Sequence, residues 1–340
     1  MPYTILPRLI STLCHIVLLT FPPFFLCFLP SSLNTFFFFS RITTRPHMSR
    51  FLAGAFVGLV GGLGGSLYST VSEVSAASAA KSTFNPDEFQ SYKLLSSRYE
   101  SHDTRRFLFA LPNPEDKFHM PVASCIVAKF TDSDGKEVVR PYTPITSNQN
   151  KGYFELLIKK YPKGKMGNHL FTMQVGEELL MKGPFEKFSY TPNQWKHVGM
   201  ICGGTGIAPM YQVVKTILEN PKDKTNISLL FANNQRRDIL LANELMELQK
   251  TYNNFNVYLT LLQVPSRWLG GIGYINKEMI QTFMPKPGEK NTKILVCGPP
   301  PMLQAISGDK LFQQGKPPQQ GPLSGILREL GYTEDQVFKY

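Results

Sequence analysis

The sequence predicts an antiparallel β-barrel followed by a doubly wound α/β domain, both carried by an N-terminal membrane anchor. Three observations support this. Residues 1–72 contain no Asp, Glu or Lys and are dominated by apolar runs. From 84 to 190, short apolar stretches alternate with turn residues, with no long run of 3.6-residue period. From 195 to 340, apolar strands alternate with helix-spaced segments, the pattern of a sheet covered by helices. A chain of 340 residues accommodates two ordinary domains and an extension.

The extension divides near residue 47. Residues 1–47 form a Phe-rich leader in which Pro22, Pro23 and Pro30 break any regular spanning helix. This leader reads as an acid-free targeting segment or as an untranslated stretch ahead of a start at Met48. Residues 48–72 contain the uncharged run Phe51–Val71, which at ~1.5 Å per residue spans a hydrocarbon core of ~30 Å. Arg41, Arg45 and Arg50 give it a positive flank. Residues 73–83 are small and polar, a tether between anchor and body.

Composition narrows the chemistry. The formal charge is +11, and the first 72 residues supply only Arg8, Arg41, Arg45 and Arg50, so the body is itself basic. A basic body suits acidic partners or anionic lipid. No dense Lys/Arg stripe with interleaved aromatics occurs, which argues against nucleic acid. Cys14, Cys27, Cys125, Cys202 and Cys297 include no CxxC pair, and the histidines no HExxH pair. No metal site is expected.

In the first domain, strands are expected at Phe107–Leu111, Ser124–Phe130, Tyr153–Lys159 and Glu178–Lys182, with turn residues between them. Arg140-Pro141-Tyr142-Thr143 follows Val138-Val139 at a strand end. The planar fork of arginine suits a phosphate, Tyr142 offers a face to a flat ring, and Thr143 offers a hydroxyl to a ring heteroatom. The same run also suits a stiff surface turn. Lys163, Gly164, Lys165, Met166 and Gly167 precede an apolar stretch, an anion cradle where a helix starts.

In the second domain, strands are expected at His197–Cys202, Ile227–Ala232, Val257–Leu262 and Lys293–Cys297, and helices at Pro209–Asn220, Leu240–Gln249 and Lys277–Phe283. Gly203-Gly204-Thr205-Gly206 occupies the first strand-to-helix turn, where bare backbone admits a pyrophosphate and Pro209 suits a first helical turn. Pro209 stands where the usual dinucleotide fingerprint has its third glycine. Asp238 follows the next strand, a place to read an adenosine ribose and disfavour a 2′-phosphate, although Arg236 and Arg237 pull the other way. Cys297 ends the final expected strand, ahead of Gly298 and a rigid run of three prolines. A buried structural thiol is the ordinary fate of such a residue, and no covalent role is expected.

Taken in order, RPYTP, GKM, GGTGIAPM, FANN–RDIL, GYI and CGPPPM resemble the NADH-cytochrome b5 reductase family of ferredoxin-reductase-like flavoproteins, over residues 84–340. The closing GILRELGYTEDQVFKY is similar to the fungal mitochondrial branch. The resemblance implies FAD on the barrel and NADH on the α/β domain. It implies hydride transfer from NADH to flavin and single-electron transfer to cytochrome b5 or a similar acidic haem protein. A quinone or other diffusible acceptor is the alternative, and a nucleotide-binding module without flavin a further one. It also implies anchoring in the mitochondrial outer membrane, or in the endoplasmic reticulum. Carried over residue by residue, Arg140, Pro141, Tyr142, Thr143, Leu157, Lys159, Lys165, Met166 and Gly167 would hold FAD. Gly203, Gly204, Thr205, Gly206 and Pro209 would hold NADH, with Asp238 on its ribose. Cys297, Gly298, Pro299 and Met302 would line the nicotinamide end, leaving Thr143 and Cys297 nearest the chemistry. Gly167 stands where relatives commonly carry Ser or Thr, and Ala208 where some carry Thr, which points to weaker FAD retention.

Overall fold

Six antiparallel strands form the first sheet: β1 (Gln90–Tyr99), β2 (Thr104–Ala110), β3 (Ser124–Thr131), β4 (Glu137–Tyr142), β5 (Tyr153–Lys159) and β6 (Glu178–Glu186). Their order is β4-β3-β6-β1-β2-β5. The computed structural model describes residues 82–313 and 318–340, so the expected leader, anchor and nearly all of the tether lie outside the described residues. Among the described residues no helix is long and apolar enough to cross a membrane.

Alternation builds the first core. Phe84, Tyr92, Phe109 and Phe118 surround Phe154, with ring centroids 5.1–6.2 Å from it. Both edge strands feed this core, β4 through Val138 and β5 through Leu156 and Ile158, so the sheet curls on itself. The edges share no ladder. Helix α1 (Lys165–Thr172) leaves β5, packs on β4 and adds Met166 and Leu170 to the core. The expected barrel is therefore a curled sheet with one helix-covered seam.

Two features differ from the sequence reading. β1 buries only Tyr92 and Leu94, so its polar remainder hides it from pattern reading. Arg140, Pro141 and Tyr142 lie within β4 rather than after it, opposite Ala128, Val127 and Ile126. Pro141 is tolerated because β4 is an edge strand with no ladder on its outer side.

The second sheet is parallel throughout: β7 (His197–Gly203), β8 (Asn226–Asn233), β9 (Phe255–Leu261), β10 (Gly271–Ile272), β11 (Thr292–Cys297) and β12 (Val337–Lys339), in the order β10-β9-β8-β7-β11-β12. Val198, Met200 and Cys202 of β7 face α2 (Ile207–Glu219) and α3 (Ala242–Thr251). Ile201 faces the opposite layer of α4 (Lys277–Phe283), α5 (Pro300–Ser307) and α6 (Gly325–Glu329). Helices on both faces make the doubly wound arrangement. Cys297 is not on the final strand, because β12 follows and pairs with β11. The prolines after Gly298 do more than stiffen a turn, since Pro300 and Pro301 open α5, where a missing N–H costs nothing.

The two sheets belong to one compact unit. The backbone of Ser124 and the side-chain amide of Gln212 exchange two hydrogen bonds, of 3.1 and 3.2 Å. Arg106 reaches Glu100 on its own lobe and Glu244 on the other, while the Leu241 N–H donates to Glu100 at 2.7 Å. Ala123, Ile145 and Leu157 of the first lobe are buried in the α/β core.

Candidate active site

Strand order reverses at β7, whose neighbours β8 and β11 continue the chain in opposite directions; crevices at such a point receive ligands. Here Cys202 of β7 and Cys297 of β11 stand in register. The chain leaves β7 through Gly203–Gly206, and contact dictates the glycines. A Cβ on Gly206 would lie 2.3 Å from the Cys297 carbonyl oxygen, and one on Gly203 would lie 2.8 Å from Met302 Sδ. Gly204 takes φ +54° with open space around it. Helix α2 starts at Ile207 rather than Pro209, which still falls in its first turn. No side chain caps that end and no acidic residue lies in its first turn, so no negative charge there opposes an anion.

Burial pushes the Cys297 thiol up to about 12, and the Cys202 thiol well above its usual range. Cys297 stays protonated near neutrality, as a packing group and not a nucleophile. Met302 is half-buried, and its sulfur is the nearest atom to where a Cβ on Gly298 would stand, at 2.6 Å. It fastens the CGPPPM turn to the glycine turn, a structural role the sequence did not show. Pro299 is exposed beside it.

The antiparallel lobe supplies a cationic edge. Arg140 is exposed, donates only to the Val139 carbonyl at 2.7 Å, and among the described residues pairs with no carboxylate. Burial raises the Tyr142 phenol to about 12. Thr143 is half-buried just past β4, and the β3–β4 register carried on by one residue sets Cys125 opposite it. Leu157 is buried in the cluster that holds Cys202, Ile207 and Ala208, against which Cys297 also packs. Lys159 pairs with Asp103 at 2.7 Å, and Lys165 pairs with Asp132. The Lys165 ammonium is thus occupied, and the backbone at the start of α1, uncapped at Gly164, is what remains for a phosphate. Met166 and Gly167 are buried, and Gly167 lies flush on β5, where a Cβ would stand 3.2 Å from the Lys159 carbonyl oxygen. A groove of about 600 Å³ runs alongside α1, between Asp132, Lys163 and His169.

Asp238 is turned inward. One oxygen accepts the Gln235 N–H at 3.0 Å and the other lies 3.3 Å from His102 Nδ1, while Arg236 and Arg237 are exposed. Two further residues lie near Cys297 without any sequence signal to mark them: Lys310 and the half-buried Tyr340.

An exposed arginine and an uncapped helix on one lobe, and a bare glycine turn at the switch point of the other, offer separate places for two phosphate-bearing cofactors. That combination defines a flavin- and pyridine-nucleotide-dependent oxidoreductase. Residues 91–190 match the model of an oxidoreductase FAD-binding domain, and residues 200–308 that of an oxidoreductase NAD-binding domain. The chain is 41% identical over 307 residues to NADH-cytochrome b5 reductase 2 of Aspergillus terreus, covering 89% of this chain and 95% of the relative. It is 46% identical over 267 residues to an NADH-cytochrome b5 reductase-like protein of Arabidopsis thaliana, covering 76% and 79%. The cytochrome b5 reductase domain of Ulva prolifera nitrate reductase superposes with a TM-score of 0.66 at 30% identity, covering 76% of this chain and 100% of that one. The chain belongs to the NADH-cytochrome b5 reductase family. It is an oxidoreductase that uses FAD and NADH.

Proposed function

We propose that the protein reduces cytochrome b5 or a similar acidic haem protein at a mitochondrial outer-membrane surface, drawing hydride from NADH through FAD. The observation that carries this reading is the meeting of the glycine turn, Cys297 and Leu157 at the lobe boundary, where Gly206 has no room for a side chain. Arg140 and the uncapped start of α1 hold the FAD phosphates, with Pro141 keeping that edge strand rigid. Tyr142 flanks the ring system, and Thr143 presents its hydroxyl to the reacting edge. Gly203, Gly204, Thr205 and Gly206, with Pro209 in the first turn of α2, hold the NADH pyrophosphate. Asp238 exchanges its inward contacts for the adenosine ribose. Cys297, Gly298, Pro299 and Met302 shape the nicotinamide end, and Leu157 excludes water. Bound FAD supplies the conversion of a two-electron donor into single-electron steps.

The basic body steers an acidic acceptor toward the crevice. The uncharged run at 51–71 with its arginine flank supports a membrane tether, with the endoplasmic reticulum as the other candidate bilayer. The test uses the FAD-loaded full chain. Anaerobic NADH should bleach the flavin faster than NADPH does, and the rate of cytochrome b5 reduction should fall as ionic strength rises. Salt-independent turnover with a neutral quinone preferred over the haem protein would overturn the acceptor assignment.

A further inference from the structure

One imidazole joins the two lobes beside Asp238. His102 lies in the turn between β1 and β2 of the antiparallel lobe, and its side chain is 49% exposed. Nε2 stands 3.4 Å from Asp103 Oδ2, on the same turn, and Nδ1 stands 3.3 Å from Asp238 Oδ1, on the α/β lobe. Each ring nitrogen therefore faces a carboxylate. Asp103 is the fixed one. Its Oδ1 accepts the hydroxyls of Ser101 and Thr104 at 3.1 and 3.0 Å, and its Oδ2 pairs with Lys159 at 2.7 Å. Burial raises the Asp103 carboxyl pKa, but Lys159 and these hydroxyls outweigh that and hold it below its ordinary value, so Asp103 stays charged through neutrality.

Asp238 is only half satisfied. Its Oδ2 accepts the Gln235 N–H at 3.0 Å, whereas Oδ1 is buried and accepts no hydrogen bond among the described residues. His102 Nδ1 comes near that oxygen but off the line of a hydrogen bond. A buried carboxylate oxygen without a donor is costly, so it marks a place where a donor arrives. A ribose hydroxyl is such a donor, and a fully ionised 2′-phosphate is not. The remaining charged groups about this turn are Arg236 and Arg237, exposed on the same short helix as Asp238, and Glu100, which Arg106 engages.

The imidazole has two ways to meet this carboxylate. Neutral, with its proton on Nε2 toward Asp103, it turns a lone pair on Nδ1 toward Oδ1 and leaves that oxygen to the ribose. Protonated, it carries N–H on both nitrogens, and a small rotation of the half-exposed ring brings one onto Oδ1. That form occupies the acceptor and cancels part of the charge that repels a 2′-phosphate. We propose that His102, reaching over from the antiparallel lobe, is the positioning residue that sets how strictly Asp238 selects NADH over NADPH. Selection is strict when the ring is neutral and relaxed when it is protonated. The proposal rests on the reading that sets the adenosine ribose at Asp238.

The test is the ratio of kcat/KM for NADH to that for NADPH in the FAD-loaded full chain, with ferricyanide as acceptor, between about pH 5 and 8. FAD content and melting temperature are recorded alongside. The native ratio should rise with pH. His102→Ala should remove about fivefold of that rise, the worth of one half-exposed charge contact. The rise left in His102→Ala belongs to the 2′-phosphate, whose own second proton leaves near about pH 6. His102→Gln, which bonds but does not titrate, should show the same shallow profile; where His102→Ala loses FAD, His102→Gln carries the measurement. A profile as steep as the native one in either variant, with native FAD content, would overturn the proposal. Loss of FAD from both variants would assign His102 to holding the lobes together and overturn it as well. Asp238→Asn separates the two layers. If it lowers the ratio while the histidine variants keep the native profile, the His102 proposal alone fails; if it leaves the ratio unchanged, the ribose placement fails and takes the proposal with it.

Discussion

Gly206 shows how single residues set the geometry of this site. Its missing side chain lets the turn after β7 close onto the Cys297 carbonyl, and a methyl group 2.3 Å from that oxygen would force the two apart. Gly206→Ala is therefore expected to slow flavin reduction by NADH about 10²-fold, the cost of a displacement near 1 Å between reacting groups, while FAD content stays native. Stopped-flow reduction kinetics check this, and an unchanged rate would show that the turn does not position the nicotinamide. The position of the glycines in the fold was legible in the sequence because a strand-to-helix turn demands bare backbone, and that of Cys297 because an apolar run ends there. The partners of Lys159, Lys165 and Asp238 were not. Asp103, Asp132 and His102 lie 33–136 positions away in the chain, and no local pattern encodes an ion pair made by folding. Gly167 is a related case, since the closeness of β5 that excludes a Cβ appears only once α1 has packed.

Among the elements, those with strong periodicity were the readable ones. Tyr153–Lys159 and Lys277–Phe283 form at the expected residues, and β3, β7, β8, β9, β11, α2 and α3 lie within a few positions of expectation. β10 and β12 are too short to show a period, and β1 buries too few side chains. The lobe-to-lobe clasp was equally hidden. Burial of Glu100 raises its carboxyl pKa, but the Arg106 hydrogen bonds, the Leu241 N–H and the charges of Arg106 and Arg98 outweigh this and hold it below the ordinary value. A depressed folded-state value means that the clasp contributes its stability above the ordinary glutamate range. That stability is lost as pH falls through the folded-state value. Melting temperature should therefore drop more steeply on acidification below about pH 4.5 in the native protein than in Glu100→Gln. Parallel curves would show that the clasp contributes nothing to holding the lobes.

Across the described residues, a curled antiparallel lobe and a parallel α/β lobe share buried side chains, which fixes the junction between them. The cationic edge of β4 and α1 and the switch point of β7 and β11 are each incomplete alone. The first is expected to grip a phosphate-bearing flavin and the second a dinucleotide, so that the junction would bring the two rings together. A crystal structure of the full chain with FAD and NAD⁺ bound tests this directly. The expected result is a nicotinamide C4 about 3.5 Å from flavin N5, with the stacked rings between Thr143 and Cys297. Either ring seated outside the crevice between the lobes would contradict it.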